Sequence, residues 1–240
     1  MSDTDSSTYA TAHRQSISDP DTFWLEVAGD IDWTTPPTRA VDGTEAPFYR
    51  WFPDGELNTS YNAIDRHVAA GRGDQAAYIW DSAVTGTTET ITYSQLQKQV
   101  AAFAGALAAE GVGKGDRVAV LLPNCPQGVV VFYAALRLGA IVVEHNPLYT
   151  ADELEAPFVD HGAKVVVTWN VITDVVRDLA NRPGTAIEHI LAVDLLDAFP
   201  TAKRLALRHL PVPSLRASRA KLSRPDTHTP RWAALETGPE

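Results

Sequence analysis

Apolar residues follow two alternating patterns along this chain. Four short runs, at residues 117–122, 141–143, 164–168 and 189–193, are apolar at successive positions and rich in Val and Ile. Such runs belong to strands buried on both faces of a parallel sheet. Between them the apolar positions recur every three or four residues, which predicts helices over 126–138, from Thr150 onward with Leu154, Phe158 and Val159 inward, and over 171–181. Pro126 suits a first helical turn and Gly139 a left-handed close, so the central strand, helix and strand are chemically bounded. Strands alternating with amphipathic helices predict an α/β fold: a three-layer, mainly parallel, doubly wound sheet with helices on both faces.

Upstream, residues 76–80 and 89–92 read as two strands of a hairpin turning near Gly86. Thr92 with Gln95, and later Thr150 with Glu153, have capping-box spacing. The first box opens a helix with Leu96, Val100, Phe103 and Leu107 on one face, ending at Gly111. Pro157 falls beyond the first turn of its helix and is expected to distort or shorten it. Residues 58–70 predict a helix with Tyr61, Ile64 and Val68 on one stripe, and 19–28 a shorter one capped by Asp19. Residues 29–56 carry Pro and Gly breakers and read as an irregular wrap anchored by Trp33, Trp51 and Phe52. The predicted organisation is a flexible tail (1–18), a helix and wrap (19–71), an α/β subdomain (72–199) and a basic linker or lid (200–240).

Charge narrows the partners. A net charge of −10 and a pI near 5.1 speak against general nucleic-acid binding, which rests on neutralising phosphates. No apolar run reaches the length of a membrane span, and a single cysteine forms no internal disulfide. A cytoplasmic protein is expected. Against the acidic average, Lys203, Arg204, Arg208, Arg216, Arg219, Lys221 and Arg224 accumulate with no acid before Asp226, interleaved with leucines. That run has two readings: a solvated surface linker, or a segment making peripheral contact with the inner, anionic membrane surface.

The stretch GVGKGDRVAVLLPNCPQ, followed by LRLGAIVVEHNPLYT, resembles the N-terminal domain of AMP-forming acyl-CoA ligases, most of all their fatty-acyl members. WFPDGELNTSYNAIDRHV, at 51–68, is similar to the opening segment of acetyl- and propionyl-CoA ligases of the same superfamily. The resemblance spans roughly Phe23 to Trp232. It implies the N-terminal part of a ligase that joins a fatty acid to ATP, giving acyl-adenylate and pyrophosphate, and then passes the acyl group to CoA. ATP, Mg2+ and CoA are the cofactors it implies for the complete enzyme, with the C-terminal half as partner and none expected bound to this chain. The alternative function is a non-catalytic membrane-surface or partner-binding module derived from such a ligase.

No position matches a family motif that carries chemistry, so no catalytic, cofactor-binding or metal residue is assigned. The chain alone is expected to be inactive. Thr85 to Thr88, TGTT, invites comparison with the superfamily's phosphate loop, but Glu89 follows where Gly and Lys belong, and an acid there repels phosphate. It reads as a hairpin turn. Gly111, Gly113 and Gly115 lead from a helix into a strand, the reverse of the dinucleotide fingerprint. Glu144 and His145 sit at a strand's carboxyl end, yet adjacent residues on an extended chain point apart, which favours loop anchoring over shared proton transfer. Cys125 at a helix start could have a lowered pKa, but reads as structural. His67, His161, His189 and His209 show no metal-ligand spacing.

Overall fold

A computed structural model of the chain describes residues 4–224, which fall into two units divided after Asn58. In the first, α1 (Thr4–Ser18) and α2 (Pro20–Ala28) precede a two-residue antiparallel pair, β1 (Val41–Asp42) with β2 (Arg50–Trp51). The expected tail is thus helical over Thr4–Ser18. It lacks an apolar stripe, and Tyr9 stacks on His13 one turn later instead. Asp19 caps α2 as expected, accepting from Thr22 N at 3.3 Å.

The wrap is held by aromatic rings. Trp33 donates its indole N–H to Ala28 O at 2.8 Å and packs on Phe52, 5.4 Å away between centroids. A Cβ on Gly55 would come within 2.7 Å of the Trp33 ring, so only glycine fits there. Asp21 accepts the backbone N–H groups of Ala40 and Val41, tying α2 to β1.

The second unit opens with helical turns that are π-wide at Tyr61–Asp65 and Val68–Arg72, broken by left-handed Gly71. β3 (Ala76–Ser82) and β4 (Thr87–Thr92) form the expected hairpin, and α3 (Tyr93–Ala109) begins at the Thr92–Gln95 capping box. Then come β5 (Arg117–Leu121), α4 (Pro126–Arg137), β6 (Ile141–Glu144), α5 (Ala151–His161), β7 (Val165–Trp169), α6 (Thr173–Ala180) and β8 (His189–Val193). All four of these strands are parallel, in the order β6-β5-β7-β8, with Val118 opposite both Val142 and Val165.

Strand alternation sorts the core. Val118 and Val120 face α3 and α4, joining Val100, Phe103, Leu107, Val131 and Ala134. Ala119 and Leu121 face α5 and α6, joining Leu154, Phe158, Val176 and Leu179. Helices therefore cover both faces, as the residue pattern predicts. Gly139, at φ 73°, ends α4, and its carbonyl accepts from Gly115 N at 2.9 Å.

One expectation is corrected. Pro157 lies inside α5, which runs on through His161. Burying Leu154 and Phe158 offsets the roughly 3 kcal/mol that an interior proline costs. The basic linker is a docked helical pair, α7 (Thr201–His209) and α8 (Pro213–Leu222), with Leu207 buried against Leu196 and Phe199. The rest of the expected linker, residues 225–240 with Asp226 and Trp232, lies outside the described residues.

Candidate functional site: the carboxyl end of the sheet

Strand β5 leads into α4 on one face, whereas β7 leads by a short 3-10 turn into α6 on the other. The chain reverses its winding between them, and open α/β sheets place ligand crevices outside the carboxyl ends of strands at such a point. Two cavities occupy that end. One, of about 430 Å³, is lined by Tyr78 and Trp80 of β3, Leu122 after β5, Phe132 and Tyr133 of α4, and Glu144 at the end of β6. The other, of about 240 Å³, is lined by Trp169, Leu195, Phe199 and Leu222. Trp80, Pro123, Asn124 and Cys125 border both.

The walls are largely apolar, and burial keeps Tyr78 and Cys125 neutral. Burial pushes the Tyr78 hydroxyl up to about 12 and the Cys125 thiol up to about 11. Cys125 is thus the buried, structural residue expected at the start of α4, and its thiol shifts opposite to activation. Glu144 turns to the first cavity while His145 turns to Phe158 and His161, so the two do not share a proton. His189 pairs with Glu110 at 2.6 Å and His67 stacks on Tyr93. Among the described residues no three His, Cys, Asp or Glu side chains gather as a metal site.

The cavities' aromatic lining was missed in the sequence. The signal lies in β3, where Tyr78 and Trp80 share a face two residues apart.

Thr85 sits in the hairpin turn. Its hydroxyl lies 2.7 Å from that of Thr87, and its carbonyl accepts from Lys203 Nζ at 2.6 Å. The turn's polar groups are therefore spent within the protein. Glu89 follows the turn and adds a negative charge that disfavours a phosphate there.

Several of the basic residues are paired within the protein. Arg208 bonds Asp194 (3.0 Å) and Asp197 (2.8 Å), Arg204 lies 3.8 Å from Asp197, and Arg219 donates to Arg208 O at 2.9 Å. Arg224 pairs with Asp174 at 2.6 Å. Trp169 Nε1 donates to Leu222 O (2.9 Å) and Asn170 Nδ2 to Ser223 Oγ (3.0 Å), fastening the end of α8 over the carboxyl ends of the strands.

The chain matches the model of the AMP-binding enzyme family over residues 65–230. It belongs to that family. Residues 9–63 match the acetyl-coenzyme A synthetase N-terminus. The chain is 38% identical over 197 residues to an acetyl-coenzyme A synthetase of Mycobacterium bovis, covering 77% of this chain and 30% of that protein. It is 37% identical over 192 residues to the human mitochondrial acyl-CoA synthetase short-chain family member 3, covering 78% and 26%. A solved acetoacetyl-CoA synthetase from Streptomyces lividans superposes with a TM-score of 0.74 at 26% identity, covering 97% of this chain and 33% of that one. The chain thus spans about 30% of the length of such a relative, and corresponds to its N-terminal part. No helix among the described residues is long and apolar enough to cross a membrane.

Proposed function

We propose that this chain is the front portion of an AMP-forming acyl-CoA ligase whose substrate is a small carboxylic acid. The reaction is the family's: a carboxylate oxygen attacks the α-phosphorus of ATP and pyrophosphate leaves, then the CoA thiol attacks the acyl carbon and AMP leaves. Two anions must be held together for the first step, which demands a phosphate cradle, a metal and cations. ATP, Mg2+ and CoA belong to the complete enzyme, and the cradle to the portion of the ligase outside these residues. The observation that carries the substrate class is the match of residues 9–63 to an acetyl-coenzyme A synthetase N-terminus, joined end to end with the AMP-binding match. A fatty acid is the second reading, favoured by the likeness of residues 111–150 to fatty-acyl ligases. The membrane-surface module draws on the cations at 203–224, five of which are already engaged with partners in the protein. The cytoplasm, where ATP and CoA are supplied, is the proposed compartment.

The test combines this chain with the separately expressed remainder of an acetyl-coenzyme A synthetase relative, ATP, Mg2+, CoA and acids from acetate to dodecanoate. Acyl-CoA formation that favours the shortest acids is expected. Preference for the longest supports the second reading and overturns the first, and no product with any acid counts against the ligase assignment.

A further inference from the structure

Two histidines tie down the loop that leaves β6. His145 donates its backbone N–H to Val120 O at 2.9 Å, which sets its position by the sheet. Its ring stacks on Phe158 at 4.9 Å between centroids, and its Nε2 lies 3.1 Å from Nε2 of His161. One further bond assigns the tautomers: Ala163 N donates to His161 Nδ1 at 3.0 Å. That nitrogen must present its lone pair, so the His161 proton sits on Nε2 and is donated to His145 Nε2. His145 carries its own proton on Nδ1. A third proton has no place. On His161 Nδ1 it would face the Ala163 amide, and on His145 Nε2 it would face the N–H of His161. The same bond argues against a metal between the rings, since a histidine ligating through Nε2 needs its other proton on Nδ1.

We propose that His145 and His161 form a latch, closed while both rings are neutral, that holds loop 146–149 beside the cavity-lining Glu144 and releases it on acidification. The groups facing the pair decide its sense. Burial and the neighbouring His145 lower the pKa of His161, Asp160 on α5 opposes them and Arg117 at the start of β5 adds to them, leaving it at about 4. His145 is lowered by burial. Both folded values lie below the ordinary 6.5, so the closed state binds fewer protons than the open one. The latch's contribution is complete above about pH 6.5 and is lost as pH falls from there toward about 4. If one ring takes its proton only when open, opening rises about 25-fold between pH 7 and pH 5.

The experiment is hydrogen exchange of the full chain at pH 7 and pH 5, corrected for intrinsic rates. Val166 and Val167 of β7 serve as controls for global unfolding. The amides of His145, Leu148 and Tyr149, each hydrogen-bonded in the closed state, are expected to exchange about 20-fold faster at pH 5 while β7 is unchanged. His145→Phe, which keeps the stacking on Phe158 and takes no proton, is expected to abolish the pH effect. Ring-proton NMR of the unsubstituted chain supplies an independent arm should that variant fail to fold. Both histidines titrating near 6.5 in the folded chain, or loop and β7 amides accelerating together, would overturn the latch.

Discussion

The two ends of the parallel sheet are built differently. At the amino end the connections are short and their charges cancel locally: Lys164 meets Glu188 at 2.9 Å, His189 meets Glu110, and Asp116 accepts from Gly113 N at 2.8 Å. The carboxyl end carries apolar cavities and exposes Leu148 (78%) and Tyr149 (44%) on the loop that leaves β6. Among the described residues, the Tyr78 hydroxyl and Gln127 Oε1 are buried there without a partner. The contrast teaches where this molecule is finished. The cavity at the amino end is lined by paired charges such as Lys164 and Glu188, whereas those at the carboxyl end are walled by apolar and aromatic side chains, as a site open to a further partner surface would be.

The comparison breaks most severely if the body beneath both ends is damaged. Phe103→Ala, deep between α3 and the sheet, is expected to cost about 3–5 kcal/mol in urea unfolding and to loosen both ends together. Arg208→Ala, which frees Asp194 and Asp197 from their shared guanidinium, is expected to cost about 1–2 kcal/mol. It acts on the carboxyl end alone, read as faster proteolysis after Arg216 and Arg219 with β7 exchange unchanged. Thr150→Ala removes the hydroxyl of the α5 capping box and is expected to lower stability by about 1 kcal/mol, measured by thermal melting. Leu148→Ser sharpens the contrast: stability should move by less than about 0.5 kcal/mol while apolar-dye binding falls. Undiminished dye binding would place the open surface elsewhere.

The strands and capping boxes were legible because their determinants are local. Thr92 needs only Gln95, and Val118 to Leu121 declare two-sided burial by their own composition. Other features depend on residues brought together by the fold. His145 and His161 meet because the loop leaving β6 lays the His145 ring on Phe158 of α5, one turn before His161, which no spacing rule for metal or catalysis encodes. The cations after residue 200 read as a solvated or membrane-facing run because a charge run says nothing of its partners. Asp194 and Asp197, a few residues upstream, were the available sign that Arg204 and Arg208 fold back. Pro157 misled because local cost was weighed without the burial of Phe158 beside it. Of the candidate site, its position at strand ends was legible, and its aromatic walls were not.

The central proposal, that this chain supplies a ligase's framework and the rest of the ligase its adenylating groups, is tested most directly by isotopic ATP–pyrophosphate exchange. The assay uses the purified chain with acetate, Mg2+ and ATP, freed of host ligases. Exchange at the no-protein blank is predicted, because among the described residues the Thr- and Gly-containing turn at Thr85 is engaged by Thr87 and Lys203 and is followed by an acid. Exchange that rises above the blank in proportion to chain concentration and requires acetate would contradict the account.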